Sequence, residues 1–564
     1  MNPDALTAQA LLNCLVREVS LPEEQAWEAD GYLMIRLARS DRLLRLTVRR
    51  PSAGPGPRLT GDAAMCGASQ WDPVGWEKLA ALIADELALA TGTSNDEFAA
   101  QIKSSHAAIA AIVANGKGAG SVRMAATDPV IDRYLSSEQS LVAGHRFHPA
   151  PKARGGDPSE WLPFAPETAA RFPLRFLAVR ADMAGGEGDT TGLDRLGAPP
   201  APPGYVALPA HPWQWRLLGR EEWLGSALRD GRLIDLGPGA REVAATSSVR
   251  TVYDPAADVF CKFSLNVRIT NCVRKNSWYE LASAVAMTRL LGPVFADLAA
   301  RFPGTVLLGE PGYRTASLGT GDAVEGLSVI AREGLRGHLA PGATPVLAAA
   351  LAEPSAVRPD WAAGSVLDGR DPQWLLGWWD AYVRAVAPPV LHALFAHGVV
   401  LEPHLQNVLV GMNDEGLPVQ AIFRDMEGTK LLTPDHDATL MTLEPRVGRA
   451  LGYDAERGWN RVAYCLLVNH LAEVAAAVAD RHPGPQDRFE ALLWHRVGTV
   501  LAGLASDHGW PPQLRAVLAG VPLPAKANLR LRWARGADGD ATYLTVPNPL
   551  SENAVARRAV CSPC

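Results

Sequence analysis

An α+β fold of two or three domains is the architecture that this 564-residue sequence predicts. Helical periodicity dominates both ends of the chain, strand-like alternation is concentrated in its middle, and no internal repeat or long low-complexity tract breaks the pattern. At ~150 residues per domain the length allows up to about four domains. Hydrophobic residues make up 48% and charged residues 20% of the chain, enough apolar side chain for sizeable cores. Lys plus Arg number 54 against 60 Asp plus Glu, a net charge of −6. That balance excludes a general nucleic-acid binder, which needs a broad cationic surface, but not a local cationic pocket.

Residues 1–140 are expected to be mainly helical with one hairpin. Residues 5–18 carry a helical repeat, and 32–37 and 43–48 alternate around Ser40-Asp41 as paired strands do. Ser94 or Asn95 can cap a helix that runs through Ile112 and stops at Asn115-Gly116. The Gly-rich run from Gly116 to Ser121 is read as a helix-ending loop. Its Lys117 is misplaced for a phosphate-binding P-loop, and no apolar strand precedes it. Residues 141–340 are expected to form a strand-rich domain, in which 185–203 is an exposed Gly/Pro-rich connection. Residues 341–564 return to helices, at 373–395, 461–478 and 488–501, interrupted by one hairpin near 407–424.

The seven cysteines are scattered and odd in number, the usage of a reducing cytoplasm. Cys561 and Cys564 form a lone C-x-x-C, too few ligands for structural zinc, and are read as incidental. No basic N-terminal signal segment and no convincing membrane span are found. The longest uncharged run, 385–401, is broken by Pro388 and Pro389.

Chemistry concentrates in two segments. The first is Ala245-Thr-Ser-Ser-Val-Arg-Thr251 with Cys261-Lys-Phe-Ser-Leu-Asn-Val-Arg268, alternating on either side of an Asp254-Pro255 turn. With the turn centred there, Arg250 faces Lys262 and Ser248 faces Ser264, and Arg268 continues the same side. Phe263, Leu265, Val267 and Ile269 then form the core face. Like charges across a ladder repel unless an anion sits between them. The face is either a solvated surface on which the cations splay, or a polyphosphate cradle. Ser277 followed by Glu280 marks a capped helix start, which puts Thr270, Asn271 and Arg274 in a strand-to-helix turn where Arg274 can anchor a carboxylate.

The second segment is Glu402-Pro-His-Leu-Gln-Asn407 with Phe423-Arg-Asp-Met-Glu-Gly428. Asn413-Asp-Glu-Gly416 is a strong turn, so an antiparallel return brings Asp425 beside Asn407. Glu402, His404, Gln406, Asn407 and Asp425 then converge, and the carboxylate and amide oxygens among them are hard ligands suited to Mg²⁺ that also binds nucleotide phosphates. An Asn and a later Asp flanking a hairpin is also how protein kinases hold metal and ATP. The plain alternative is a core-capping His404 with solvated acids. Taken together, the cationic segment and the metal-ligand segment describe an ATP site.

Weaker signals accompany these two. His145 and His148 with Lys152 can bind an anion or ligate a metal, although two imidazoles without an acid do not make a zinc site. His211 lies in an aromatic cluster read as packing at a domain edge, and 374–379 is read as core. His392 and His397, five apart on a helix, are not expected to form a ligand pair.

The ordered set GHRFHPAPK, AHPWQW, TSSVRT, KFSL, ITNCVR, EPHLQN and FRDMEG, spanning residues 144–428, closely resembles the IucA/IucC family. These are synthetases that make siderophores independently of nonribosomal peptide synthetases. The resemblance implies a hand-like fold: a thumb (1–140), fingers with the phosphate-binding hairpin (141–340) and a palm with a kinase-like hairpin (341–564), commonly as a homodimer. ATP would lie between fingers and palm. Phosphate-binding roles carry to Ser248, Arg250, Thr251 and Lys262, and nucleotide roles to Gln406 and Asn407. Carboxylate binding carries to His148, Thr270, Arg274 and His404, and metal binding to Glu402, Asn407 and Asp425. Lys262, Arg274 and His404 would be catalytic. Lys275 and Asn276 occupy a stretch that varies within the family and can touch the substrate.

The implied chemistry uses ATP and Mg²⁺. A carboxylate of citrate or a citrate monoamide attacks the α-phosphorus, giving an acyl-adenylate and pyrophosphate. An amine then displaces AMP. The same chemistry on succinate or α-ketoglutarate, a kinase-like phosphotransferase, and a nucleotide binder without turnover are the alternatives.

Overall fold

The computed structural model describes residues 2–116, 128–269, 272–352, 364–536 and 542–551. Its mixed helix and sheet content makes the chain an α+β protein. The Gly-rich run from residue 117 onward, Thr270, Asn271, Cys561 and Cys564 lie outside the described residues.

The N-terminal part holds more sheet than the single expected hairpin. Five strands between Ala26 and Pro73 form an antiparallel meander paired in sequence order. Two of the extra strands are short (Ala26–Ala29, Trp71–Pro73), and in the third, Arg58–Cys66, Gly61-Asp62 interrupts the run, which masks their alternation. Helices Pro3–Leu15, Trp76–Thr91 and Asp96–Gly116 accompany the meander, and Leu11, Leu15, Ile35, Leu44, Ile83 and Phe98 share its core. Asn95 Oδ1 accepts from Glu97 N–H (3.0 Å), as a helix-start acceptor should. Leu529 and Trp533, far along the chain, also enter this core.

An eight-stranded, wholly antiparallel sheet follows. Its order is Ala184–Gly188, Gly312–Ala316, Val329–Glu333, Val259–Phe263, Thr251–Asp254, Leu233–Ala245, Arg171–Arg180, Tyr205–Ala210. The expected connection at 185–203 therefore contains an edge strand. Its glycines permit the pairing: Gly188 has φ +77°, and a Cβ there would lie 2.0 Å from the Pro311 carbonyl. His211 is buried among Phe164, Phe172 and Phe263 and accepts from Trp213 N–H through Nδ1 (3.1 Å).

A four-stranded sheet, ordered Thr305–Leu308, Pro418–Arg424, Val408–Met412, Thr344–Leu347, carries the second hairpin. Its backing is helical: Trp278–Arg301, Pro372–His397 and Gln486–Asp507 place Leu281, Val285, Trp378, Trp379, Tyr382 and Trp494 in one large core. The helix Pro372–His397 runs straight through Pro388 and Pro389, both buried, so the prolines that break the uncharged run do not end the helix. Trp278–Arg301 and the continuous helical stretch Ala455–Ala479 are long and apolar enough to cross a membrane. In this fold 44% and 89% of their apolar windows are buried inside the protein. Within the latter stretch, Tyr464–Leu471 is π-helical.

Burial holds three histidines neutral. It pushes the imidazoles of His145 and His211 down to about 3 and that of His470 to about 4. An unfolded histidine titrates near 6.5. Stability from each group is therefore present above pH ~6.5 and is lost as pH falls, by up to about 1.4 kcal/mol per pH unit per histidine. Urea unfolding between pH 7.5 and 5 is expected to show this fall. His211→Asn, which keeps the acceptor for Trp213 N–H, flattens it by up to one histidine's share; an unchanged slope contradicts the assignment.

Candidate active site

Two hairpins from two different sheets meet at one buried ammonium. Lys262, on strand Val259–Phe263, is 2% exposed. Its Nζ lies 2.6 Å from Asp425, 3.1 Å from Glu427 and 3.8 Å from Glu310. Asp425 and Glu427 directly follow strand Pro418–Arg424, and their side chains keep about a third of their surface exposed. The cation thus sits behind a rim of acids. Burial alone would raise the acids' pKa values; Lys262, with Arg332 and Arg250, reverses this. Asp425 is held far below the ordinary carboxylate range and Glu427 at about 2. Burial would likewise lower Lys262, yet the three carboxylates hold it above its usual value.

The first hairpin differs in register from its prediction. Thr251, not Arg250, lies opposite Lys262, and Val252 pairs with Cys261. Residues 246–250 leave the strand as a tight loop. Arg250 N–H donates to the Ser248 carbonyl (2.8 Å) across Val249, which has φ +67°. That is a γ-turn bond around a β-branched residue in the left-handed region, a strained arrangement. The turn nevertheless brings Arg250 to Lys262. Its guanidinium donates to Glu427 (2.7 Å) and to the Asn276 side chain. The anion expected between the two cations is therefore the protein's own Glu427.

The other first-segment hydroxyls shape the loop. Ser248 Oγ accepts from Thr251 N–H (3.1 Å), and Thr246 Oγ1 donates to the Thr251 carbonyl (2.6 Å). Ser247 donates through N–H (3.0 Å) and Oγ (2.6 Å) to buried Glu138, whose other oxygen accepts from Arg424 (2.6 Å). Gln406 Nε2 donates to Ser247 Oγ (3.3 Å). Ser264 Oγ accepts from Asn276 N–H (2.8 Å). Asn276 is fully buried behind the hairpin and not placed to touch a ligand, while Lys275 pairs with Asp322 (2.8 Å) and Glu325 (3.4 Å).

Arg274 is on a strand, not in a strand-to-helix turn. Cys272–Arg274 pairs antiparallel with Leu265–Ile269, and Arg274, half-buried, lies opposite Leu265. The helix start is where Ser277 and Glu280 placed it: Glu280 accepts from Ser277 N–H (2.7 Å), and Trp278–Arg301 follows. Thr270 lies outside the described residues, and so does the side chain of Arg268.

The second hairpin has its expected form. Val408 pairs with Phe423, and Arg424 N–H donates to the Asn407 carbonyl (3.1 Å), bringing Asp425 beside Asn407. Asp425 itself has φ +81°. Glu402 is committed elsewhere, to an ion pair with Arg461. Asn407 Nδ2 donates to the Glu402 carbonyl (3.3 Å), leaving its Oδ1 for another partner. Asp425, Glu427 and Asn407 Oδ1 therefore suit a hard divalent cation such as Mg²⁺, whereas Glu402 does not join them without breaking its pair.

The loop 401–407 is held by the π-helical stretch Tyr464–Leu471. Leu405 N–H donates to Asn469 Oδ1 (3.1 Å), and His470 Nδ1 bonds the Pro403 carbonyl (2.8 Å). His404, His145 and His148 share a backbone device. Nδ1 of each accepts the N–H two residues on, from Gln406 (3.2 Å), Phe147 (3.1 Å) and Ala150 (3.1 Å). The neutral imidazole then carries its proton on Nε2. Burial pushes His404 below its ordinary pKa, so it is a neutral Nε2–H donor near pH 7. Lys152 takes no part here: with Arg154 it grips buried Glu167 (2.6 and 2.7 Å).

These elements match known proteins. A profile of the IucA/IucC family covers residues 133–353. The rhizobactin siderophore biosynthesis protein RhbC of Rhizobium meliloti is 29% identical over 98% of both chains. The chain belongs to the IucA/IucC family. The L-2,3-diaminopropanoate–citrate ligase of Staphylococcus aureus is 29% identical over 76% of each chain. The ATP-bound aerobactin synthetase IucA of Klebsiella pneumoniae superposes with a TM-score of 0.80 at 28% identity, covering 97% of this chain and 99% of that one. A second profile, described as ferric iron reductase FhuF-like transporter, covers residues 377–541. That segment includes the second hairpin and ends before Cys561 and Cys564.

Within this IucA/IucC chain, sequence reasoning overlooked Glu427, Glu310, Arg332, Glu138 and Arg424 as site residues. Glu427 and Arg424 stood inside the FRDMEG motif; nothing local marks Glu138, whose partners Ser247 and Arg424 are 109 and 286 positions away, or Glu310, which meets Arg332 and Lys262 across 22 and 48 positions. His392 and His397, not expected to form a ligand pair, both meet Asp297 on a neighbouring helix. Glu138→Ala strands the buried Arg424 charge and is expected to destabilise the protein by about 3–5 kcal/mol. It should also raise hydrogen exchange at 246–251. Unchanged stability and exchange would show that the ion pair does not hold the loop.

Proposed function

We propose that the chain is an ATP-dependent siderophore synthetase that adenylates a carboxyl group of citrate or a citrate monoamide and transfers the acyl group to an amine, releasing pyrophosphate and AMP. The observation that carries this reading is the meeting of Lys262, Arg250, Asp425 and Glu427 in a chain whose fold superposes on an ATP-bound synthetase. Citrate takes precedence over succinate or α-ketoglutarate because it recurs in the names of relatives that join it to diaminopropanoate, to an acetylated hydroxylysine and to spermidine.

In this reading the buried cations exchange partners. Asp425 and Glu427 balance Lys262 and Arg250 while the triphosphate is away. When it enters, the ammonium and guanidinium turn to phosphate oxygens and the acids are freed. Mg²⁺, held by Asp425 with Asn407 or Glu427, would neutralise phosphate charge. Ser248, Thr251 and Gln406 line the loop that receives the nucleotide. A substrate carboxylate oxygen attacks the α-phosphorus as the bond to the β-phosphate bridge breaks, and pyrophosphate leaves with the electron pair. The amine nitrogen then adds to the acyl carbon, loses a proton, and expels AMP. Lys262 and Arg250 stabilise charge developing on the phosphates, which is positioning and electrostatics, with no covalent enzyme intermediate. Arg274 and Thr270 hold the substrate carboxylates, and His404 and His148 donate to them through Nε2–H. The hand-like arrangement, with ATP between fingers 141–340 and palm 341–564 and the thumb at 1–140, belongs to the same reading, as does a homodimer.

Citrate-dependent pyrophosphate release is the decisive measurement. Release of ADP and phosphate instead would replace the ligase with a phosphotransferase, and ATP binding without turnover on any acid–amine pair would leave a nucleotide-binding protein. Arg274→Ala is expected to abolish acid-dependent adenylation while ATP affinity persists; an equal loss of ATP affinity contradicts its role. His404→Ala should raise the KM for the acid about 10-fold or more, as loss of a hydrogen bond to a charged group does. Because His404 acts as a neutral donor, its loss leaves the pH profile near 6.5 unchanged; disappearance of a pH 6–7 limb would make it a general base instead.

A further inference from the structure

A second constellation lies far from this site. Asp297, on helix Trp278–Arg301, receives two imidazoles from helix Pro372–His397 on one oxygen. His397 Nε2 lies 2.8 Å and His392 Nε2 3.3 Å from Asp297 Oδ2. The ligating atoms of all three residues fall within 4.8 Å of one another, the one such group of His, Cys, Asp and Glu among the described residues. Asp297 follows Glu280 by 17 positions on a single helix, about 25 Å along its axis, so the cluster is remote from Lys262. Five residues apart, His392 and His397 diverge by about 140° around an ideal helix. His397 is the last helical residue, followed by Gly398 at φ +59°, and the neighbouring helix supplies Asp297 between them.

We propose that Asp297, His392 and His397 bind a divalent first-row transition metal, with Zn²⁺ as the test ion. Two imidazoles and one carboxylate are the donor set of open zinc sites and of related transition-metal sites, not of Mg²⁺ or Ca²⁺, which take all-oxygen sets. Metal–ligand bonds of about 2.0–2.1 Å in a tetrahedron put donor atoms about 3.3–3.4 Å apart. His392 Nε2 already stands at that distance from Asp297, and His397 needs to withdraw by only about 0.5 Å. An outer partner is in place as well: His392 Nδ1 is 3.1 Å from His508 Nε2. With Nδ1–H donated to His508, the lone pair of His392 falls on Nε2, facing Asp297. Rings orient this network from both sides, Phe302 edge-on to His392 and Phe395 against His508.

The pocket is open on one side. Side-chain exposure rises from 9% at His392 to 27% at His397 and 50% at Asp297. Three protein ligands leave the fourth position to water. The nearest opposing charge is Arg301, half-exposed and paired with Asp507 at 3.5 Å, free to stay on the solvent side. Binding would exchange the protons now shared with Asp297 for the ion and staple helix Trp278–Arg301 to the C-terminal end of helix Pro372–His397.

The test is a Zn²⁺ titration of chelator-treated full-length protein in a Cys66→Ser/Cys561→Ser/Cys564→Ser background, which removes the exposed Cys66 thiol and the C-x-x-C pair as competitors. Co²⁺ absorption would report the coordination geometry. One equivalent is expected to bind with a rise in Tm, undisplaced by excess Mg²⁺. His397→Ala and Asp297→Asn should each remove that equivalent. His508→Ala, a positioning change, should weaken it about 10- to 100-fold. Absence of a saturable equivalent, or its survival in both ligand variants, overturns the proposal; because Asp297 and His397 are surface residues, both variants are expected to fold. Pyrophosphate release by the Lys262 site is read separately and should persist without the ion, so failure here and failure of the synthetase reading are distinguishable.

Discussion

The ammonium of Lys262, buried and surrounded by Asp425, Glu427 and Glu310, is the interaction on which the rest of the site depends. Its strand belongs to the eight-stranded sheet and its nearest carboxylates follow the four-stranded one, so one charge cluster joins two sheets. An isolated buried charge costs far more than a folded protein can spare, and each sheet supplies what the other must neutralise. Arg250 and Arg332 extend the cluster, Arg250 on Glu427 (2.7 Å) and Arg332 on Glu310 (2.6 Å). The balance is close, which is the condition for an anionic ligand to redistribute the pairs without leaving a charge stranded.

Backbone strain concentrates at the same place. Val249 and Asp425, both at positive φ, flank the two halves of the cluster, and neither is a glycine. Such positions persist only where surrounding contacts over-determine them. For Val249 these contacts are the Ser247–Glu138–Arg424 chain and the Ser248–Thr251 bond. Arg424 therefore has two structural tasks, fixing the loop of the first hairpin and the return of the second. The π-helical turn Tyr464–Leu471 adds a third support, reaching Pro403, Leu405 and His145 through His470 and Asn469.

What could be read from the residues alone depended on how locally each feature is encoded. The Asn413–Gly416 turn, the Ser277/Glu280 helix start and the Asn95 cap are set by neighbours within a few positions. The first hairpin's register was misread by one because its turn takes four residues, 255–258, which sets Thr251 and not Arg250 opposite Lys262. The N-terminal meander was undercounted, since short, charged edge strands carry little alternation. Arg274 was placed in a turn because two strands separated by two residues read as one segment.

The sequence by itself determined the family, through ordered motifs whose local chemistry is dense, and the α+β class, through periodicities of 3.6 and 2. It also determined which segments carry cations and which carry acids. Only the tertiary structure decided that these charges neutralise one another, that Glu402 is spent on Arg461 while Glu427 faces the cations, and that His392 and His397 share Asp297. The physical reason is distance along the chain. Periodicity and caps act over a few residues, but Lys262 and Asp425 stand 163 positions apart, and only the packing of two sheets brings their charges to 2.6 Å.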